Sequence, residues 1–401
     1  MQNYLRTDNV LTFMLAGGYG SRLFPLTQIR SKPSVPFGAQ YRIVDFSLSN
    51  CINSNFRKVY VLTQYKSQSL TEHIMDGWSF LSSELGEFIS IVPPQLRASD
   101  KWYQGTADAI YQNINLLDVR KPDYVLIVSA DHLYRMDYRE MLEAHINNNA
   151  DITIAALEVP KEEAKGFGVM GADEANRIIE FQEKPDNPNT IPGRPDTSYA
   201  SMGIYIFSTN SLVKYLSKDA KTNSSHDFGK NIIPAMLENK ERLFAYSFTN
   251  DSVGDSYWKD VGTLDSYFNS SMDIIKGNFK LNKPEWPIYT YSKRGVPSII
   301  NCKNISKTVV SHSCNIEAKE LNKVLISSGV KMEEGVIIDN SIILEDVKIE
   351  KDVRIKNAII DKNVIIKAGI QIGYNEAEDK KRFLVTENGL VVVPKNMDVI
   401  E

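Results

Sequence analysis

In the last quarter of the chain, valine and isoleucine return about every six residues, and this repeat constrains the fold more than any other feature. The series slips by one residue between triplets, and its members are Val330, Val336, Ile342, Val347, Val353, Ile359, Val364 and Ile370. Short strands stacked in a parallel β-helix repeat in this way, because each side of a coil uses one hexapeptide. We therefore predict a parallel β-helix, and the alternative is an ordinary β-sheet tail in which the spacing arose by chance.

The preceding part of the chain alternates between strand-like and helix-like patterns. Apolar segments predict strands at residues 10–15, 58–62, 124–129, 151–156 and 204–207, and helices are predicted at 107–117 and 139–148. Such alternation indicates an α/β domain with a mostly parallel sheet covered on both faces. Prolines interrupt the pattern near residues 284–297, so we predict one domain at 1–276, a linker at 277–297 and the β-helix domain at 298–401.

The composition excludes several classes of partner and location. The chain has 401 residues, of which 42% are hydrophobic and 24% charged, as in ordinary globular proteins. A formal net charge of −4 provides no positive field for nucleic acid or an anionic membrane. The sequence has no apolar run long enough to span a bilayer and no apolar signal-peptide core near its start. Three cysteines without metal-ligand spacing indicate a reduced cytoplasm.

A glycine-rich segment directly after the first predicted strand is the candidate phosphate-binding loop. Gly17, Gly18 and Gly20 allow a tight turn and a close approach of the backbone to a ligand, and its N–H groups suit phosphate oxygens. Arg22 and Lys32 add two positive charges that the negative net charge of the chain makes necessary. The segment lacks the Gly-Lys-Ser/Thr of a Walker A motif, and for the glycines alone a simple turn is the alternative.

Segments in and beyond this loop resemble those of sugar-1-phosphate nucleotidyltransferases, and of the ADP-glucose pyrophosphorylase branch in particular. The similarity extends from about residue 10 to about residue 396, and its clearest segments are 15–37, 41–54, 61–65, 102–109, 201–205, 226–230 and 257–263. The resemblance implies a Rossmann-like nucleotidyltransferase domain, a left-handed parallel β-helix and a homotetramer, with a hetero-oligomer as the alternative. It also implies transfer of the adenylyl group of ATP to α-D-glucose 1-phosphate, with release of pyrophosphate, for glycogen or starch-type α-glucan synthesis.

Two aspartates in these segments are the candidate ligands of Mg²⁺. Asp131 follows the predicted strand 124–129, and Asp260 lies in a segment with a glycine turn. Mg²⁺ prefers oxygen ligands and usually takes one or two carboxylates together with phosphate oxygens. The resemblance implies that both aspartates bind the metal, although each alone could cap a helix or loop. Because Mg²⁺ prefers oxygen, we expect His132 to be structural or to support a ligand.

The resemblance also assigns residues to the reaction and to each substrate. The reaction is expected to depend on Asp131, Arg22, Lys32 and Asp260. Glucose 1-phosphate is expected at Tyr103, Gly168, Glu183, Lys184 and Ser201. The nucleotide is expected at Leu15, Ala16, Gly17, Gly18, Gly20, Gln64, Gly105 and Thr106. A lysine offers a compact charge to a phosphate monoester and a carboxylate accepts hydrogen bonds from sugar hydroxyls, but a Glu-Lys pair in isolation is ordinarily a solvated surface.

The expected reaction is a direct displacement, in which a phosphate oxygen of glucose 1-phosphate attacks the α-phosphorus of ATP. The enzyme needs no nucleophile of its own because the sugar phosphate is already an anion, so it positions substrates and neutralises charge. Three alternatives stay open: a nucleotidyltransferase for another base or sugar, a non-catalytic regulatory subunit, and acyl transfer by the β-helix. The last needs a catalytic histidine, for which the sequence of the β-helix offers only His312.

Control by an anionic or phosphorylated effector is predicted to be weak or altered. Many bacterial relatives have basic residues at the counterparts of Tyr19, Ile29 and Gln40, and all three are uncharged here, although Arg42 remains. Basic residues that could bind such an effector are found near the end of the chain, at Lys380, Lys381, Arg382 and Lys395. Clusters of this kind are usually just solvated.

Overall fold

The computed structural model of the protein describes residues 7–95, 101–250, 252–253, 256–291 and 295–399, so the predictions for 1–6, 292–294 and 400–401 lie outside it. The strands of the α/β domain are β1 (Val10–Ala16), β2 (Pro36–Phe37), β3 (Tyr41–Arg42), β4 (Lys58–Thr63), β5 (Phe88–Val92), β6 (Tyr124–Ser129), β7 (His132–Tyr134), β8 (Ile152–Pro160), β9 (Gly168–Ala172), β10 (Ile178–Glu183), β11 (Thr197–Ser208), β12 (Leu243–Ser247) and β13 (Trp258–Asp260). Its helices are α1 (Ile43–Asn53), α2 (Gln68–Gly77), α3 (Thr106–Tyr111), α4 (Asn115–Arg120), α5 (Tyr138–Asn147), α6 (Lys161–Ala164), α7 (Thr209–Asp219), α8 (Ile233–Glu238) and α9 (Leu264–Lys276).

Among the described residues, the central sheet of this domain has nine strands, in the order β10-β9-β11-β6-β1-β4-β5, with β8 and β12 joined to it through β11. Strands β6, β1, β4 and β5 are parallel, whereas β11 is antiparallel to its neighbours β6, β8 and β9. Both faces of β1 are covered, since Phe13 belongs to one apolar cluster and Met14 to another. The Ala130 amide donates to the Leu15 carbonyl at 3.0 Å, so the segments after β1 and β6 lie side by side. Ligands of α/β sheets gather at such carboxyl ends.

The predicted α/β class is confirmed, and one predicted helix differs in detail. Residues 107–117 form two helices, α3 and α4, instead of one. Between them the amides of Asn113 and Ile114 donate to Ile110 and Tyr111, at 3.0 and 3.1 Å. These bonds reach back three residues instead of four, which tightens the backbone into a 3₁₀ turn and ends α3.

The C-terminal part of the chain is a parallel β-helix, as the six-residue repeat predicts. Its strands are β14 (Ile299–Ile300), β15 (Asn304–Ser306), β16 (Val309–Val310), β17 (Asn315–Ile326), β18 (Lys331–Ile343), β19 (Lys348–Ile349), β20 (Arg354–Ile360), β21 (Ile365–Ile366), β22 (Gln371–Ile372), β23 (Leu384–Val385), β24 (Val391–Val393) and β25 (Asp398–Val399). Lys331 pairs with Lys348 and Lys348 with Ile365, so one coil advances the chain by 17 residues. The helix α10 (Glu376–Arg382) lies between β22 and β23.

On one side of the β-helix, the repeat predicted from the sequence is out of phase by one residue. Ala358 belongs to the interior apolar cluster, whereas Ile359 and Ile342 belong to a cluster shared with the α/β domain. Successive side chains of a strand point to opposite faces, so only one of each neighbouring pair can point inward. Both faces are apolar here because the α/β domain covers the outer one. Hydrophobicity therefore cannot distinguish inward from outward positions on this side.

The cluster that joins the two domains includes the loop after β1. Leu23 and Leu26 of that loop are buried together with residues of α9 and with the outward β-helix residues Leu325, Ile342, Leu344, Ile359, Leu390 and Val392. A large apolar interface of this kind restrains the relative motion of two domains. The β-helix therefore shares one apolar cluster with the segment that follows the glycines.

Two further findings concern the cysteines and the helices of the described ranges. Cys51, Cys302 and Cys314 are free thiols. Burial raises the pKa of the Cys314 thiol. None of the helices in these ranges combines the length and hydropathy needed to cross a bilayer.

Candidate active site

The glycine loop after β1 opens at the carboxyl end of the sheet. Gly20 has a φ of +67°, in the left-handed region that favours glycine. A Cβ at this position would lie 3.1 Å from Lys32 and 3.2 Å from Thr27, whose hydroxyl donates to the Gly20 carbonyl at 2.8 Å. A Cβ on Gly17 or Gly18 would meet no atom closer than 3.4 Å. The backbone thus requires Gly20, whereas Gly17 and Gly18 leave the surface of the loop free for a ligand.

A first cavity, of about 510 Å³, lies between the glycine loop and the start of α3. All the residues predicted for the nucleotide line it, namely Leu15, Ala16, Gly17, Gly18, Gly20, Gln64, Gly105 and Thr106. Arg22, Lys32 and Asp131 line it as well. Gly105 is needed for packing, because a Cβ there would lie 2.2 Å from the carbonyl oxygen of His226. The size and the mixture of apolar walls and charged groups are typical of a small-molecule site.

A second cavity, of about 330 Å³, adjoins the first and shares Arg22 with it. Four of the residues predicted for glucose 1-phosphate line it: Gly168, Glu183, Lys184 and Ser201. Tyr103 lines the first cavity instead, where its hydroxyl accepts a hydrogen bond from Asn113 at 2.9 Å. The assignment of Tyr103 to the sugar phosphate therefore stays a prediction.

The hairpin of β9 and β10 shapes the second cavity. Gly168 pairs with Glu183 across this hairpin, and a Cβ on Gly168 would lie 2.5 Å from Phe181. Lys184 follows with a φ of +51°, and its ammonium lies 3.8 Å from the Glu183 carboxylate. The Lys184 side chain is 64% exposed, so its charge can turn toward an anion in the cavity. The Ser201 hydroxyl accepts a hydrogen bond from the Gly203 amide at 3.3 Å.

Lys32 connects the two predicted metal ligands. Its ammonium lies 2.7 Å from Asp131 Oδ2 and 2.7 Å from Asp260 Oδ1. The short antiparallel pairing of β7 with β13 holds Asp260 opposite His132. Since His132 directly follows Asp131 in the sequence, this pairing brings the two aspartates close together. Single ligand atoms of Asp131, His132 and Asp260 lie within 4.8 Å of one another, and two of these donors are carboxylate oxygens, which suit Mg²⁺. In the structure both acids therefore bind Lys32.

The electrostatics of this acid-lysine cluster keep Asp131 and Lys32 charged at neutral pH. Burial raises the pKa of Asp131, but the charge of Lys32 and a hydrogen bond from Ser129 outweigh it and hold the pKa well below its usual range. Burial lowers the pKa of Lys32, and the two carboxylates more than compensate, so the pKa is raised. Burial lowers the pKa of His132, which favours the neutral imidazole.

The structure adds residues to the site that the sequence analysis did not assign. Asp227 lines both cavities and accepts a hydrogen bond from the Thr106 hydroxyl at 2.9 Å. Trp258 lines the second cavity with its ring packed 5.0 Å from that of His132. Trp258 Nε1 and His132 Nδ1 are buried and have no hydrogen-bond partner among the described residues. Both Asp227 and Trp258 lie in segments that carry the resemblance, and Trp258 is two residues before Asp260 on the same strand. Their positions in these segments could therefore have identified them as site residues from the sequence.

Exposed aromatic residues surround the mouth of the first cavity. Trp102 stacks on Tyr65 with ring centroids 5.7 Å apart and planes at 8°, and Tyr65 meets Tyr19 edge-on at 5.5 Å. Trp102 is 54% exposed and Tyr19 57% exposed, so neither ring belongs to the core. Lys66 lies over the Tyr19 ring at 5.0 Å. The uncharged Tyr19 side chain therefore lies against a cation at the mouth of the first cavity.

The basic residues of α10 have partners of their own. Lys380, Lys381 and Arg382 form ion pairs within α10 with Glu376, Glu378 and Asp379. Pairs three or four residues apart on an exposed helix are weak but neutralise one another. Arg42 donates to the Ser69 carbonyl at 2.7 Å. This pairing leaves little uncompensated charge on α10 for a phosphorylated effector.

Comparison with protein families agrees with this architecture. Residues 11–277 match the family model described as nucleotidyl transferase, and residues 300–393 match the GlmU-like C-terminal hexapeptide. These matches define the class, a nucleotidyl transferase domain followed by a hexapeptide domain.

Curated relatives narrow the class further. Glucose-1-phosphate adenylyltransferase 2 of Vibrio vulnificus strain YJ016 is 49% identical over 97% of this chain and 99% of its own length. The enzyme of the same name from Vibrio cholerae is 46% identical, over 97% and 98%. The glucose-1-phosphate adenylyltransferase of Methylococcus capsulatus is 47% identical, over 96% and 93%. The chain belongs to the glucose-1-phosphate adenylyltransferase family, which confirms the resemblance found in the sequence.

Proposed function

We propose that this chain transfers the adenylyl group of ATP to α-D-glucose 1-phosphate, releasing pyrophosphate and forming ADP-glucose for α-glucan synthesis. The observation that carries the proposal is the acid-lysine cluster between the two cavities. Asp131 lines the first cavity, Asp260 lines the second, and the Lys32 ammonium bridges them. A nucleotide in the first cavity and a sugar phosphate in the second would meet at this cluster.

The reaction is an in-line displacement at the α-phosphorus of ATP. A bond forms from a phosphate oxygen of glucose 1-phosphate to that phosphorus, and the bond from the phosphorus to the oxygen that bridges to the β-phosphate breaks. The leaving pyrophosphate keeps the electron pair of the broken bond, so no residue has to accept a proton. The protein has to bring two anions together, and its contribution is therefore positioning and charge compensation.

Each group of the site has a defined task in this proposal. Arg22 lines both cavities and would compensate charge on the triphosphate and on the sugar phosphate. The surface at Gly17 and Gly18 lets backbone amides approach the β- and γ-phosphates. Lys184 would bind the phosphate of the sugar, and Glu183 its hydroxyls. Mg²⁺ held by Asp131 and Asp260 would supply additional positive charge at the α-phosphate.

The proposal favours an active enzyme over a regulatory subunit. A regulatory subunit would not need the loop cations and the metal acids, and here Arg22, Lys32, Asp131 and Asp260 adjoin the same two cavities. The choice of ATP over other nucleotides follows from the names of the relatives, since a glycine loop with two cations does not select a base. For assembly we propose a homotetramer, which the exposed apolar residues Val296, Ile299 and Ile305 on the first coil support. The three free thiols support a cytoplasmic location.

Pyrophosphate release from the purified chain tests the proposal. The reaction contains Mg²⁺ and glucose 1-phosphate together with ATP, UTP, GTP or dTTP in separate assays. We expect rapid release with ATP, and none above background without the sugar phosphate. An Asp118→Asn variant is a matched control for substitutions of the site, because Asp118 is exposed on α4. Equal rates with UTP or dTTP would favour another nucleotidyltransferase, and no release with any nucleotide would favour a regulatory subunit.

A further inference from the structure

The glycine loop makes a buried ionic contact with the β-helix. The Arg30 guanidinium donates a hydrogen bond to Asp361, although the two residues are 331 positions apart in the sequence. Their side chains are 5% and 1% exposed. Arg30 is two residues before Lys32, which bridges the acids of the site. The contact therefore joins the β-helix to the segment that carries a charged residue of the active site.

Both partners of this ion pair are fixed within their own domains. Arg30 Nε donates to the Leu26 carbonyl at 2.7 Å, so the guanidinium also ties the loop to itself. The Asp361 amide donates to the Val393 carbonyl at 3.0 Å, and Asp361 Oδ1 accepts from the Lys362 amide at 2.7 Å. Asp361 is thus a rigid acceptor on a coil of the β-helix. A buried arginine needs such a partner, because an unpaired charge would be strongly unfavourable there.

The segment between Arg30 and Lys32 has little freedom to absorb a displacement. The Ser31 amide donates to the Lys66 carbonyl at 3.2 Å, and the Val35 amide closes a 3₁₀ turn on the Lys32 carbonyl at 3.0 Å. Lys32 itself is buried, with its side chain 9% exposed. A shift of Arg30 would therefore move the Lys32 backbone and the direction of its ammonium.

We propose that Asp361 is a positioning residue for the nucleotide site: through Arg30 it fixes the loop that carries Lys32. The β-helix then takes part in the reaction by holding the loop in the conformation that binds the triphosphate. The part of this inference that concerns ATP rests on the proposed function. The part that concerns the loop conformation does not.

The test removes the ion pair and compares the two substrates. In an Arg30→Met/Asp361→Leu double variant, apolar side chains of similar size replace the pair, so no buried charge is left without a partner. We expect the KM for ATP to rise about tenfold, because a small misplacement of a remote group can cost up to about a hundredfold, and the KM for glucose 1-phosphate to stay within about twofold. An Asp361→Asn single variant should show the same split between the substrates if it folds.

A second pair in the same interface provides the matched control. Glu345 lies 2.6 Å from Lys362 on the β-helix, and in a Glu345→Gln/Lys362→Met variant the Arg30–Asp361 contact is kept. The KM for ATP of this control variant should equal that of the wild type. Amide hydrogen exchange of residues 21–35 is a readout that does not require activity, and it should be faster in the Arg30→Met/Asp361→Leu variant than in the wild type and the control.

The outcomes separate this inference from the proposed function. Wild-type protein that releases no pyrophosphate would refute the proposed function, and hydrogen exchange of the loop would then decide the positioning role. Unchanged loop exchange in the Arg30→Met/Asp361→Leu variant would overturn the inference. Equal increases of both KM values, or the same increase in the control, would overturn it as well, because such results would indicate a general loss of structure.

Discussion

The two domains of this chain bury polar groups in contrasting ways. In the α/β domain, Lys32, Asp131 and Asp260 meet at the border of two cavities, with side chains 9%, 28% and 35% exposed. The β-helix buries mainly apolar side chains, together with the polar residues Ser327, Ser341 and Asp379. Asp361, the buried acid that meets Arg30, lies where the β-helix faces the other domain. The α/β domain thus holds the proposed active site, and the role we propose for the β-helix is to make that site rigid from outside the cavities.

This contrast has a physical reason. Groups arranged for a ligand are held in a polar, partly open cluster that a packed core would exclude, and such sites usually cost stability. A β-helix loses no stability in this way, because each coil covers the next and buries a repeated set of apolar side chains. Substitutions in the acid-lysine cluster should therefore affect turnover more than stability, and those in the interior of the β-helix should do the reverse.

The largest expected effect is on turnover, from Asp131→Asn. This variant keeps the shape of the side chain but removes the charge that Lys32 and a metal ion would balance. We expect kcat to fall by about a thousandfold, as for the loss of one strong electrostatic contact in an active site, with little change in the melting temperature. Steady-state kinetics and thermal unfolding measure the two quantities. Near-wild-type turnover would refute the metal assignment.

The second effect is on stability, from Ile355→Ala in the interior of the β-helix. Ile355 is fully buried, so the variant leaves a cavity, and we expect the free energy of unfolding to fall by about 3 kcal/mol. The kcat of the folded protein should be unchanged. Ile146→Ala is the matched control, because Ile146 is 40% exposed on α5 and its loss should cost far less. A large fall in kcat for Ile355→Ala would contradict the division between the domains.

The third effect is a pH dependence of the free energy of unfolding, and it arises from a histidine of the α/β domain. Burial lowers the pKa of His145 to about 4, and its ring nitrogens meet the Thr153 and Ser208 hydroxyls. In the unfolded chain the imidazole of His145 has its ordinary pKa, near 6.5, so below that pH the unfolded chain binds a proton that the folded state does not. The stability that this histidine contributes is therefore fully present above pH 6.5 and decreases as the pH falls toward 4. We expect it to account for a loss of about 2 kcal/mol between pH 7 and pH 5.

Denaturant unfolding of wild type and His145→Gln at both pH values isolates this contribution. The variant should be less stable at pH 7, where its hydrogen bonds are altered, but it should lose less stability between pH 7 and pH 5. Parallel losses in the two proteins would show that another group is responsible.

The smallest expected effect is the response to fructose 1,6-bisphosphate. Tyr19 and Ile29 are uncharged, and the cations of α10 are already paired with acids of the same helix. We expect activation of less than about twofold, below the range typical of allosteric coupling. Titration of the activator at a subsaturating ATP concentration measures it. Strong activation that Arg42→Ala abolishes would place an effector site near Arg42 and contradict this expectation.

Local sequence signals were sufficient for much of the fold and of the site. The six-residue repeat predicts coils that the structure pairs at 17 residues, and the glycine loop and Asp131 follow two neighbouring parallel strands, β1 and β6. Asp260 reaches the same place through the antiparallel pairing of β13 with β7. These features are predictable because each depends on a short stretch of chain. The loop after β1 and the segment after β6 adjoin as a direct consequence of the parallel sheet.

Other features depend on contacts between distant segments, and the sequence could not reveal them. The contact of Arg30 with Asp361 forms only when the β-helix packs against the segment that follows the glycine loop. The outward direction of Ile359 depends on the α/β domain covering that side. The place of Tyr103 in the first cavity depends on the turn that divides α3 from α4, because Asn113 of that turn donates to its hydroxyl.

The most direct test of the account is a crystal structure of the chain with Mg²⁺ and an unreactive ATP analogue. The account predicts the metal ion at about 2.1 Å from an oxygen of Asp131 and of Asp260, with the triphosphate along the surface of Gly17 and Gly18. The glucose 1-phosphate cavity should remain open beside it. A triphosphate bound away from both aspartates, or a metal ion held without either of them, would contradict the central claim.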